Sequence, residues 1–161
     1  KDEITNWQTY RNEKYGFELR YPNDYIAEDT ADGVNMINKE EKEKKKAYYE
    51  ECRVNQKGGC PTFAETRSIN VKIYKNTDNL SIDKWLKDNK FSYEQGKSCE
   101  VSNIQGYCGL NGLINGAEIY FYMNINEKIV SFSNIGWAVD SSLPNNNIIK
   151  NQILSTFKFI N

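Results

Sequence analysis

An α+β fold built on an antiparallel sheet is what this sequence predicts, and three observations predict it. Between Gly116 and Trp137, Ala117, Ile119, Phe121, Met123 and Ile125 alternate with Glu118, Tyr120, Tyr122 and Asn124, the period of a strand with one buried face. Asn126-Glu127-Lys128 breaks that run and Ile129 to Ser133 resumes it, so the two halves read as a long hairpin. Short apolar stripes at helical spacing follow Ser81 and recur near the C-terminus, and they supply helices to lie on the sheet.

Taken in order, the chain opens with Trp7, Tyr10, Tyr15, Phe17, Leu19 and Tyr21. Phe17, Leu19 and Tyr21 alternate with Glu18 and Arg20, which predicts a strand that Pro22 ends. Tyr25 to Asp29 predicts a second strand. Asp32-Gly33 is a hairpin turn signal, and Val34 to Ile37 returns from it, so the first third reads as a strand meander.

Asn38, with Glu41 three residues on, resembles a capping box. A helix over Lys39 to Arg53 follows, with Glu40–Lys44 and Glu41–Lys45 at the favourable i, i+4 spacing. Tyr48 and Cys52 share one face, and the rest lacks an apolar stripe, which predicts a solvated helix decorating the fold. It has too little amphipathicity for a membrane-surface helix.

Ile69, Val71 and Ile73 predict a strand from Ser68 to Tyr74. Ser81 is an N-cap residue with Asp83 in the first turn, and Ile82, Trp85 and Leu86 form the stripe of a short helix. Asn79-Leu80-Ser81 also spells a glycosylation sequon, which N-cap chemistry explains as well. Val101 to Tyr107 predicts a strand. Gly109, Gly112 and Gly116 precede a strand and carry no Gly-Lys-Ser/Thr ending, so they read as turn and bulge residues. Ser141 to Pro144 leads into a last helix with Ile149, Ile153 and Phe157 at i+4 steps, and Thr156 to Ile160 forms an apolar tail that docks on the sheet.

The 161 residues fit one domain, large enough to bury about two-thirds of its unfolded surface. The expected organisation is a polar lead-in over 1–6 and a single domain over 7–161, with a helical and disulfide insertion at about 38–61. Lys plus Arg number 21 against 22 for Asp plus Glu, a net charge of -1, which argues against a nucleic-acid binder. No apolar run is long enough to span a bilayer. The opening Lys1 to Asn6 has no export-signal pattern, so either no signal existed or the chain starts after one.

The cysteines favour the second option. Cys52 and Cys60 flank a loop containing Gly58-Gly59, and Cys99 and Cys108 flank another containing Gly106. Two local pairs of this kind read as disulfides of an exported protein. Three connectivities exist, and Cys52–Cys60 with Cys99–Cys108 is preferred because each closes a small loop. A zinc site wants closer spacing and often histidine, whereas these gaps hold seven and eight residues and the chain has no histidine. Four free thiols in a reducing compartment are the other alternative.

Trp7-Gln8-Thr9-Tyr10, then Tyr15-Gly16-Phe17-Glu18-Leu19-Arg20-Tyr21-Pro22, resembles the opening of PsbP-like domains, common in short bacterial envelope lipoproteins. Ile153 to Phe159 resembles their closing helix, and Asn79 to Lys87 matches their Leu-Ser/Asp-x-Trp-Leu helix. The resemblance implies an α/β/α sandwich with a central antiparallel sheet. It also implies export, often with a lipid tether on a cysteine upstream of Lys1, and a role in binding. The metal-assisting histidines of photosynthetic members have no counterpart here, and the Lys39–Cys60 segment matches none of the family's motifs.

Without histidine, Ser-His-Asp and Cys-His sites are excluded. A Ser-Lys dyad stays open, although no strained nucleophile turn announces it. Asp29 with Asp32, or Asp83 with Asp88, supply carboxylate pairs that sequence cannot place at a catalytic separation. Glu28 to Gly33 is only a fragment of a calcium loop. No catalytic, cofactor or metal residue is therefore assigned, and no cofactor is expected. The positive signal is aromatic: Tyr48, Tyr49, Tyr120 and Tyr122 are candidate partner-binding residues, since tyrosine offers apolar area with a polar tip. The competing reading packs Tyr120 and Tyr122 under a helix. The expected function is a noncatalytic extracytoplasmic binding or accessory domain with a protein or envelope partner. An envelope hydrolase with a Ser-Lys or paired-carboxylate site and a structural spacer are the alternatives.

Overall fold

The computed structural model describes residues 4–55, 59–63, 68–89, 96–101, 103–113, 116–125, 127–135 and 151–160. Among the described residues ten strands form two antiparallel sheets. In the three-stranded sheet, β2 (Phe17–Tyr21) lies between β1 (Gln8–Asn12) and β10 (Lys158–Phe159). The larger sheet has the order β3-β4-β5-β9-β8-β7-β6. Its strands are β3 (Tyr25–Thr30), β4 (Gly33–Asn38), β5 (Ser68–Lys75), β6 (Lys97–Val101), β7 (Ile104–Leu113), β8 (Gly116–Ile125) and β9 (Lys128–Ile135). Helices α1 (Lys39–Asn55) and α2 (Ile82–Asp88), a closing helical segment at 151–156 and a single 3-10 turn at Ile4–Asn6 complete the described elements. The fold is α+β, as the period-two and helical stripes predict.

The β8–β9 hairpin is the centre of the large sheet. Its ladder runs from Ile119↔Asn134 to Ile125↔Lys128, and Glu127 at φ 59 takes the left-handed turn position. Both faces of this hairpin are buried. Phe121, Met123, Val130 and Phe132 join Val34, Met36, Ile69, Val71 and Ile73 in the main core, under Phe17, Leu19 and Tyr21 of the small sheet and Ile153 and Leu154 of the closing segment. Tyr122 and Ile129, on the other face, meet Trp85 and Leu86 of α2. Each such apolar or aromatic side chain contributes on the order of 1.5–3 kcal/mol when fully buried.

Several elements differ from the sequence expectation. The first third is not one meander. β1 and β2 pair Gln8↔Tyr21 to Asn12↔Phe17, and β10 takes the second edge of β2. β10 pairs only with Phe17 and Glu18, and Pro22, which lacks an N–H, ends β2 before β3 begins. The β3–β4 connection is Ala31–Asp32, with Thr30 opposite Gly33 and no positive φ at either loop residue. Gly33 serves close approach instead: a Cβ there would stand 2.0 Å from the Val71 carbonyl oxygen. Val101–Tyr107 is not one strand either. Asn103 at φ 64 turns the chain between β6 and β7, a conformation asparagine tolerates. Gly109 and Gly112 lie within the β7 ladder and Gly116 opens β8, rather than forming turns. Ser141–Pro144 and Ile149 lie outside the described residues.

The small sheet is latched to the β3–β4 hairpin. Tyr10 donates its hydroxyl to Asp29, and Asn12 Nδ2 donates to the Tyr10 oxygen at 2.7 Å. Tyr15 donates to the Ala31 carbonyl at 2.6 Å. Burial first, and the Asp29 hydrogen bond second, push the Tyr10 hydroxyl up to about 12. Phe157 seals the C-terminal side, with ring centroids 5.3 Å from Phe17 and 5.5 Å from Phe132.

Candidate functional site

α2 is placed by its own connection to β5. Asn76 is buried; its Nδ2 donates to the Leu80 carbonyl at 2.9 Å and its Oδ1 accepts from the Leu80 N–H at 3.0 Å. Asn124 Nδ2 on β8 donates to the same carbonyl at 3.1 Å. Asn79 at φ 48 completes the turn. Ser81 occupies the N-cap position, but its side chain makes no capping hydrogen bond, so Asn76 supplies the connection's order instead. Trp85 Nε1 donates to the Lys75 carbonyl at 3.0 Å, which fixes the indole against the sheet.

This placement leaves a cleft of about 360 Å³ between α2 and the β6–β7 hairpin, with Asp83, Leu86, Lys87, Gly96, Lys97, Ser98 and Tyr107 as its described lining. Asp83, Leu86 and Lys87 sit at i, i+3 and i+4 on α2 and so share one flank. Ser98 and Tyr107 are directly opposed across the strands and point to the same side of the sheet. Leu86 is buried at the base. Gly96 is a steric requirement: a Cβ there would stand 2.2 Å from the Tyr107 ring and 2.4 Å from its hydroxyl.

Burial, then the charge and hydrogen bond of Asp83, raise the Tyr107 hydroxyl above its ordinary value. The Tyr107–Asp83 contact ties β7 to α2 and occupies the one acidic side chain of the described lining. Among the described residues neither Lys87 nor Lys97 forms an ion pair. Nor does a hydrogen bond join either lysine to Ser98 among these residues, whereas an activated serine requires a base in contact. No group of three or more metal-ligating side chains occurs among the described residues.

The hairpin under the cleft carries one disulfide. Cys99 and Cys108 are joined at 2.04 Å, with Cα atoms 5.8 Å apart. Cys99 opposes Gly106 and Cys108 opposes Lys97, so the bridge crosses diagonally between adjacent strands and closes the β6–β7 hairpin loop. It faces the main core, opposite the cleft. The other disulfide joins Cys52 to Cys60, Cα atoms 5.7 Å apart.

The four sequence-selected tyrosines do not converge. Tyr48 and Tyr49 lie on α1, half-buried and edge-to-face at 5.3 Å. Tyr48 packs on Phe63 at 5.5 Å, and the Tyr49 hydroxyl accepts the Phe63 N–H at 3.0 Å. They therefore hold the chain returning from Cys60. Tyr122 is 1% exposed beneath α2, the packed arrangement rather than an exposed face. Tyr120 is a backbone partner of Gly109 and Ser133, and its side chain lies outside the described residues. Sequence reasoning found Asp83 and Leu86 as helix residues but missed the cleft. Tyr107 meets Asp83 only through the strand register, for which no local signal exists.

No protein-family model matches this sequence, and no curated protein matches it. Solved structures do. A protein of Bacteroides thetaiotaomicron VPI-5482 shares 11% identity, with 96% of this chain covered and a TM-score of 0.59; the match spans 49% of that protein, about half its length. The solution structure of cyanobacterial PsbP (CyanoP) from Synechocystis sp. PCC 6803 shares 11% identity at a TM-score of 0.56, covering 98% of this chain and 95% of that one. At such identity the likeness establishes the fold, and the fold is PsbP-like.

Proposed function

We propose that this PsbP-like chain is a noncatalytic, extracytoplasmic binding or accessory domain of an envelope protein. The observation that carries the reading is the fold itself, which matches CyanoP over 98% of this chain and 95% of that one. Two disulfides support an oxidising compartment, because reducing compartments keep such thiols free. No helix among the described residues is long and apolar enough to cross a membrane; the attachment proposed for an envelope protein of this kind is a lipid on a cysteine upstream of Lys1.

The partner contact falls on the 38–61 segment, read as an insertion into the fold. Its first turns hold to the body: the Asn38 side chain accepts the Glu41 N–H at 3.3 Å, Lys39 Nζ donates to the Asn23 carbonyl at 2.6 Å, and Lys42 pairs with Glu28. Its far end carries Tyr48, Tyr49 and Val54, and Val54 is 84% exposed. Tyrosines beside an exposed aliphatic residue suit a protein partner. Tyr122 drops out of the contact because it is buried.

A photo-crosslinking residue placed at position 54 and irradiated in the native envelope tests this. The expected result is one discrete crosslinked protein, lost when Cys52 and Cys60 are both replaced by alanine. No crosslink at position 54, alongside correct export, would remove the reading.

A further inference from the structure

We propose that the Cys52–Cys60 disulfide is a redox switch on the arm: a protein dithiol opens it while Cys99–Cys108 stays closed, and opening releases the returning chain from Tyr48 and Tyr49. How readily a disulfide is reduced depends on access to its sulfurs and on how closely the fold holds the two thiols once they are free. Thiols kept side by side re-form the bond, whereas thiols on a short flexible tether meet at an effective concentration of only about millimolar.

The two bridges differ on the second count. Around Cys99 and Cys108 the ladder from Lys97↔Cys108 to Val101↔Ile104 keeps the strands in register without the bond, and both residues pack on the main core. Cys52 is buried near the end of α1, but Cys60 is half-buried on a stretch, 59–63, that is neither helix nor strand. Beyond the bridge, that stretch meets α1 through the Phe63 N–H donated to the Tyr49 hydroxyl at 3.0 Å and the Phe63 ring 5.5 Å from Tyr48. One hydrogen bond and one ring contact are a weak hold on two freed thiols.

Cys60 is the more open of its pair and takes the attack. A thiolate of the dithiol bonds to the Cys60 sulfur, and the Cys52 sulfur leaves as a thiolate that takes a proton. The second thiol of the reductant, deprotonated, then displaces Cys60, which takes a proton in turn. The chain gains two electrons and two protons, and the reductant leaves as its own disulfide. Release of the stretch removes the Phe63 packing from Tyr48 and the donor from Tyr49, close to the exposed Val54. Control of partner binding by this step rests on the reading of the arm as the partner contact; selective reduction does not.

Equilibration of the native chain across a series of reduced-to-oxidised dithiothreitol ratios tests the proposal, with alkylation and peptide mass spectrometry reading each pair. Cys52–Cys60 should be half-reduced at a ratio at least tenfold lower than Cys99–Cys108, about 30 mV for a two-electron couple. In the ¹⁵N-labelled chain, that selective reduction should shift the Tyr48, Tyr49 and Phe63 amides and leave those of β8 and β9 in place. Opening of both pairs at one ratio, earlier opening of Cys99–Cys108, or unmoved Tyr48 and Phe63 amides would overturn the proposal. The crosslink at position 54 should also be lost once Cys52–Cys60 alone is open. Its survival would sink the switch and leave the partner reading intact. No crosslink from the oxidised chain would remove the partner reading, while selective reduction is judged on its own readout.

Discussion

The two disulfides span nearly the same length of chain, with sequence separations of 8 and 9, yet they sit in unlike surroundings. Cys99–Cys108 joins strands already paired from Lys97↔Cys108 to Val101↔Ile104, and its sulfurs pack against the main core. Cys52–Cys60 joins the far end of α1 to an extended return, where Tyr48, Tyr49 and Phe63 form a separate aromatic patch. A crosslink raises global stability only when the loop it closes unfolds with the core. When its loop opens locally, the crosslink changes that local opening and little else. Equal staples therefore stabilise different things: one the domain and its cleft, the other an appended arm.

The largest expected effect comes from the core beside the cleft. Trp85→Ala should cost about 3–5 kcal/mol, the range for truncating a buried large aromatic residue. It should move the whole denaturant transition, whereas Tyr48→Ala in the arm should leave the midpoint nearly unchanged. Equal shifts from the two would erase the comparison.

Next, replacing Cys99 and Cys108 together by alanine should lower global stability by about 2–3 kcal/mol on the loop-entropy model. The same change at Cys52 and Cys60 should instead raise amide exchange in the last turns of α1 while the global transition holds. A global loss of similar size from both pairs would show that the arm folds with the body.

The smallest effect lies away from both staples, at the Tyr10–Asp29 latch. Tyr10 is raised to about 12 in the folded state against an ordinary value of 10.0, so its contribution is fully present below pH 10 and is lost as pH rises through 12. Denaturant midpoints measured between pH 10 and 12 should fall more steeply for the native chain than for Tyr10→Phe. Parallel curves would remove the latch as a source of alkaline sensitivity.

Much of the fold was legible because its signals are local. The alternation over Ala117–Ile125 sets the β8 faces, and the Asn38 signal starts α1 where the sequence places it, although α1 runs on to Asn55. The Ile82, Trp85, Leu86 stripe marks α2. Where the reading went astray, a local signal had two physical uses. Gly33 looked like a turn glycine and is a contact glycine against Val71. Val101 to Tyr107 read as one strand, but Asn103 can turn a chain that its neighbours would extend. The site was the least legible part. Tyr48 and Tyr49 were visible as exposed-helix aromatics, but nothing in sequence spacing says that Phe63 returns to meet them.

By itself, the sequence determined the element types, the hairpin at the centre of the sheet, the absence of histidine chemistry and the preferred cysteine pairs. All of these follow from side-chain period, turn propensity and composition, which act over a few residues. Tertiary structure decided that β2 leaves its neighbour β3 to take β10 from the far end of the chain, and that Tyr107 reaches Asp83 across a cleft. Both depend on which distant segments bury each other, and that choice is set by the summed packing of the whole core rather than by any window of the chain.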